Sequence, residues 1–173
     1  MIRIGHAWDT HKLVPDRKLI LGGVEVKSDL GLLGHSDADV VLHAVAEAFL
    51  GSLALGDLGT FYPDNSKKTL GMDSKVILKE CYQRVLDLGY KVNNIDLTIY
   101  SQNIKISPIR QSIRESIANI LNINVEMVSV KATTWENMGF VGRGEAIASE
   151  AVVLVENIPP KKRMIVPMGK EIK

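Results

Sequence analysis

The stretch "GHAWDTH" sets Asp9 and His11 two residues apart near the start of the chain, and "HSDADVVLH" adds His35 and His43. With His6 these are the four histidines of the 173-residue sequence. Residues two apart on a strand project from one face, so Asp9 and His11 can converge on one point. Joined by His43 they make one carboxylate and two imidazoles, a set that suits tetrahedral zinc with a fourth position open. Ser36, Asp39, His43 and Glu47 follow at intervals of three, four and four, which lines them along one face of a helix. That stripe holds no Lys, Arg or Gln, and its composition suits a cation. The spacing fits equally an exposed Asp9–His11 pair beside a core histidine at 43, and it does not choose between the two.

Other polar segments could meet a ligand. "GDLGTFYPDN" combines glycines with Asp57 and Asp64, and "KATTWENMGFVGRGE" sets Thr133, Thr134 and Glu136 before a glycine-rich turn around Arg143. Hydroxyls, backbone amides and a guanidinium could bind anions there; the alternative is plain turns whose glycines supply positive φ. Ser107-Pro108 is expected to cap and open a helix whose free amides could seat an anion.

Positioning these groups falls to a mixed pattern of elements. Residues 2–11 read as a strand entering a turn, and "KLILGGVEV" as two short strands about Gly22-Gly23. The apolar segment from about Asp37 to Leu53 reads as a largely buried helix. Asp73 caps a second helix that Gly89 stops. Ile95, Leu97 and Ile99 alternate with polar neighbours as in a half-buried strand. A third helix carries Ile109, Ile113, Ile117, Ile120 and Leu121, and "VSVKATT" and "EAIASEAVVLV" give two more strands. The expected fold is α/β, an α+β sandwich in one domain (residues 1–157): a mixed four-stranded-type sheet, helices on one face, and a small β-hairpin. Residues 158–173, rich in proline and basic side chains, read as a flexible tail.

Composition narrows the partners. The chain is 46% hydrophobic and 24% charged with a formal net charge of +1, so no basic patch points to nucleic acid. No apolar run approaches the ~20 residues of a membrane span. Cys81 is the single cysteine, which rules out an internal disulfide and fits a reducing compartment. No signal pattern opens the chain, so the cytoplasm is the expected location; a removed organelle-targeting segment, as for a plastid, would leave no trace.

The motifs "GHAWDTH", "GLLGHSDADVVLHA", "ALGDLGTFYPD", "DLTIYSQNIKISP" and "VKATTWENMGFVGRGEAIA" occur in the order found in the 2-C-methyl-D-erythritol 2,4-cyclodiphosphate synthases, and residues 1–156 resemble that family. The resemblance implies an enzyme of non-mevalonate isoprenoid biosynthesis that cyclises 4-diphosphocytidyl-2-C-methyl-D-erythritol 2-phosphate and releases CMP. It implies zinc on Asp9, His11 and His43, and a second divalent ion, magnesium or manganese, on Glu136. His35 and Thr134 match positions that stabilise the transition state. Substrate contacts are implied at Ser36, Asp57, Gly59, Tyr62, Pro63, Asp64, Asn65 and Ser66 for the methylerythritol phosphate, and at Ser101, Gln102, Asn103, Ile104, Lys105, Ile106, Ser107 and Thr133 for the cytidine diphosphate. Further substrate contacts are implied at Asp9, Thr10, His11, His35, Leu58, Thr134, Trp135, Glu136, Phe140 and Arg143. Family members are homotrimers with active sites between subunits, and Phe140 and Arg143 match the lining of a central cavity that can hold an isoprenoid diphosphate. Ile104, Trp135, Trp8 and Ser66 depart from the usual family residues and point to altered substrate affinity. A zinc-dependent phosphohydrolase and a non-catalytic isoprenoid-diphosphate-binding trimer are the competing readings.

Overall fold

β1 (Ile2–Pro15) is the frame of the molecule. In the computed structural model, which describes residues 1–65 and 69–158, it continues past His11. Its far end pairs through Leu13, Val14 and Pro15 with a short strand β4, defined below, a non-local pairing that the local pattern did not announce. β2 (Leu19–Leu21) and β3 (Val24–Val26) form the expected hairpin. Gly22 and Gly23 both have positive φ, +62° and +77°, the backbone that a tight two-residue hairpin turn requires.

The remaining elements are β4 (Leu30–Leu32), α1 (Val40–Ser52), the one-turn α2 (Leu58–Phe61), α3 (Ser74–Asp87), β5 (Tyr90–Tyr100), α4 (Arg110–Leu121), β6 (Val128–Thr133), the short α5 (Gly139–Gly142) and β7 (Ala146–Asn157). The main sheet runs β4-β1-β7-β5-β6, four long-paired strands with β4 as a short fifth at the edge. It is mixed: β1 and β5 are antiparallel to β7, while β5 and β6 are parallel and joined by the crossover that a parallel pair needs, here through α4.

The long helices α1, α3 and α4 cover one face of this sheet. Ile95, Leu97 and Ile99 of β5 and Val153 and Val155 of β7 are fully buried beneath them. α1 is apolar on nearly every side, with Val40, Val41, Leu42, Val45, Phe49 and Leu50 at 0% exposure. It reaches the sheet over Gly5, where a Cβ would stand 1.9 Å from the Ala48 carbonyl oxygen. Cys81 lies in the same core, and burial pushes its thiol up to about 11. A neutral, enclosed thiol reacts slowly, so the native protein is expected to resist a thiol reagent and to release its single thiol only in denaturant, as absorbance of the released chromophore would report.

The helix starts differ from expectation at two places. α1 begins at Val40 with Asp39 as its N-cap, so Ser36 precedes the helix. Asp39 does not belong to the cation-facing stripe: it is fully buried and accepts from the amides of Gly22, Gly23, Val41 and Leu42, tying the hairpin turn to the helix end. Ser107-Pro108 forms a turn ahead of α4, whose N-cap is Ile109 with no side-chain cap. The tail from 159 onward and Ser66 lie outside the described residues. Among the described residues no helix is long and apolar enough to cross a membrane.

Candidate metal centre

Asp9 and His11 point to the helix side of β1, the side of Gly5 and Ala7, and His43 arrives from the first turn of α1. Their ligand atoms form a triangle with nearly equal edges. Asp9 Oδ2 lies 3.1 Å from His11 Nε2 and 3.2 Å from His43 Nδ1, and the two ring nitrogens are 3.1 Å apart. Zinc–nitrogen bonds of about 2.0–2.1 Å at tetrahedral angles put donor atoms roughly 3.3 Å apart, so the triangle has the size of one face of such a site. The exposed-pair alternative fails, since the three residues share one point.

The proton positions follow from the outer partners. His11 Nδ1 lies 2.9 Å from the Leu33 carbonyl, which can only accept; Nδ1 therefore donates, and the Nε2 lone pair faces the triangle. His43 turns Nδ1 inward, while its Nε2 meets Ser74 Oγ at 2.9 Å and Ser36 Oγ at 3.1 Å. Two inward lone pairs and a carboxylate repel one another unless a cation or proton sits between them. The electrostatics agree. Burial opposes charge on Asp9, but hydrogen bonds and charge from His11 and His43 outweigh it and hold its carboxyl below the usual range. Burial likewise works against the His11 imidazolium, and Asp9 overcomes it and raises the pKa.

The triangle opens onto a cavity of about 540 Å³ walled by His35, Ser36, Glu47, Leu58, Tyr62 and Asp64. Burial raises the pKa of Glu47, helped by the charges of Asp9 and Asp57. Asp57 caps α2, accepting from the Thr60 amide at 2.9 Å and its hydroxyl at 2.8 Å, and Gly59 sits within that turn. Thr10 points to the opposite sheet face and donates to the Ile147 carbonyl at 3.3 Å. Pro63 and Asn65 flank Asp64 on the loop that follows α2, and the Pro63 carbonyl accepts from Thr69 Oγ1 at 2.8 Å.

The other expected residues gather elsewhere on the chain, and none of them walls this cavity. Ser101 receives the end of β6, its amide donating to the Thr133 carbonyl at 3.1 Å. Gln102 Oε1 accepts the amides of Trp135 and Asn137, and Asn103 packs beside Gly144. Ser101 Oγ accepts from the Ile104 amide at 3.2 Å. Ile106 is buried, while Lys105 and Ser107 are exposed. Thr134 Oγ1 donates to Glu136 Oε1 at 3.0 Å, and Glu136 and Asn137 hold positive φ, +49° and +62°, a costly backbone for residues with a Cβ. Trp135 lies against Tyr100 and Phe140, and Phe140 against Trp8, so the four rings form one aromatic cluster. Phe140 also lines a separate cavity with Thr10 and Lys12, and Arg143 pairs with Glu145 at 2.6 Å.

Comparison with known proteins settles the lineage. The profile of the YgbB family matches residues 2–156. This chain belongs to the YgbB family. Among its relatives, the 2-C-methyl-D-erythritol 2,4-cyclodiphosphate synthase of Carboxydothermus hydrogenoformans is 54% identical over 158 residues, covering 91% of this chain and 97% of that one. Two solved structures share the fold. An IspF–CDP complex from Plasmodium falciparum has a TM-score of 0.80 at 33% identity, covering 90% of this chain and 96% of that one. The bifunctional IspDF of Campylobacter jejuni has a TM-score of 0.88 at 36% identity; the match covers 91% of this chain and only 42% of the larger one.

Sequence spacing missed Ser74 and Asp37. Ser74 opens α3 and touches His43 from 31 residues away, and only its place after the Asp73 cap could have marked it.

Proposed function

We propose that this chain is a 2-C-methyl-D-erythritol 2,4-cyclodiphosphate synthase, a phosphorus–oxygen lyase of isoprenoid biosynthesis. The convergence of Asp9, His11 and His43 carries the reading, in a chain 54% identical to a synthase of that name. The 2-phosphate of the cytidylated substrate attacks the β-phosphorus; the β-phosphorus–oxygen bond to the cytidylate breaks, and CMP leaves with that oxygen. No protein nucleophile is needed, so the chain contributes positioning and electrostatics. Asp9, His11 and His43 would hold zinc, and Glu136 a magnesium or manganese ion. Such cations neutralise charge on the diphosphate when bound. His35 would donate a hydrogen bond to charge that grows as the ring closes. Ser36, Asp64 and the α2 turn would hold the methylerythritol phosphate, and Thr134 would act beside Glu136 from the cytidine side.

The division of these residues into two patches supports a homotrimer, in which the cavity side of one subunit faces the cytidine-binding side of the next. Phe140 and Arg143 would then border a central cavity with room for an isoprenoid diphosphate. The cytoplasm is the proposed compartment.

Incubation of the purified chain with the cytidylated substrate and both metals is expected to yield CMP and the cyclic diphosphate in equal amounts, followed by phosphorus NMR. Removal of metal by a chelator should stop both. A free monophosphate with no ring would make the protein a hydrolase, and ligand binding without turnover would make it a binding module.

A further inference from the structure

Beyond the three side chains that would hold the cation, a second set fixes one of them. Asp37, Ala38 and Asp39 form a sharp turn in which the fully buried Ala38 holds φ +61°, a conformation unfavourable for a residue with a Cβ. The turn sends the carboxylates on either side of Ala38 in different directions. Asp39 goes to the hairpin and the start of α1. Asp37 goes to α3, where it accepts from the Ser74 hydroxyl and from the Ser74 amide at 3.1 Å.

With its own proton given to Asp37, the fully buried Ser74 offers His43 only lone pairs. His43 Nε2, 2.9 Å away, must then donate. A neutral imidazole protonated at Nε2 carries its free lone pair on Nδ1, the atom that faces Asp9 and His11. Ser36 Oγ, 3.1 Å from the same Nε2, accepts the Ala38 amide at 3.0 Å and keeps a second lone pair with which it can share the Nε2 proton. We propose that Ser74, held by Asp37, is a positioning residue that fixes the ring orientation and tautomer of His43 for cation binding. The proposal rests on the metal reading above and adds a role for two residues outside the ligand set. Outer partners of this kind commonly tune metal affinity 10–100-fold.

The test compares wild type, Ser74→Ala, Asp37→Ala and His43→Ala by zinc titration against a competing chelator. Long-range proton–nitrogen NMR of the histidine rings is recorded on the metal-free proteins. Zinc affinity is expected to fall about 10–100-fold in Ser74→Ala and in the same direction in Asp37→Ala, which keeps the Ser74 hydroxyl and covers the case that Ser74→Ala does not fold. The wild-type His43 ring should show a single Nε2-protonated form that becomes a mixture in both variants. Unchanged zinc affinity with an unchanged His43 tautomer would overturn the relay and leave the metal centre standing. Zinc uptake by wild type no greater than by His43→Ala would overturn the metal centre itself.

Discussion

His43→Ala should abolish stoichiometric zinc and reduce turnover by about 1,000-fold or more. A bound cation supplies several kcal/mol of charge stabilisation to phosphoryl transfer, and each ~1.4 kcal/mol is a factor of ten in rate. The fold should survive, because the ring, 12% exposed, lines the cavity and not the apolar core, and the apolar neighbours that seat α1, Leu42 and Val45 among them, are untouched. Elemental analysis, CMP release and far-ultraviolet circular dichroism separate the outcomes. Full zinc occupancy in the variant would refute the ligand assignment, and loss of the helical spectrum would reassign His43 to the core.

Gly5→Ala should cost stability more than any surface change. The added methyl would lie 1.9 Å from the Ala48 carbonyl oxygen and 2.8 Å from the Ser52 amide nitrogen. Both are backbone atoms of α1 or its last residue, so no rotamer relieves the clash and the helix must lift from β1. Overpacking of this kind costs about 3 kcal/mol or more, a fall in Tm of roughly 6–12 °C for a domain of this size. The displaced helix carries His43, so zinc affinity should fall with stability. A thermal melt beside a zinc titration reads both; an unchanged melt would show that α1 and β1 do not approach as closely as described.

Much of this was legible in local patterns. Two-residue periodicity put Asp9 and His11 on one face, Gly22-Gly23 marked the hairpin, and Asp73 and Gly89 bracketed α3, all through forces acting within a few residues. What failed was set by distant partners. Asp39 has the spacing of a helical stripe with His43, but it stands before the first helical residue, where that periodicity does not hold, and the Gly22 and Gly23 amides claim its carboxylate. Ser107 has the residue type of a cap, yet the chain continues its turn to Ile109 before α4 begins. The separation of the cavity from the Thr133–Glu136 patch could not be read from spacing, because it is decided by where β5, β6 and β1 end in the assembled sheet.

The helix that brings His43 and Glu47 to the cavity is also among the most enclosed elements of the chain. A side chain there cannot change size without disturbing packing on several sides at once. For an inhibitor seated on this wall, resistance by substitution would be steeply penalised along α1. Escape would have to come from the rim, among the exposed residues around Asp57 and Asp64, so a compound that draws its affinity from the inner wall would leave drift little room to evade it.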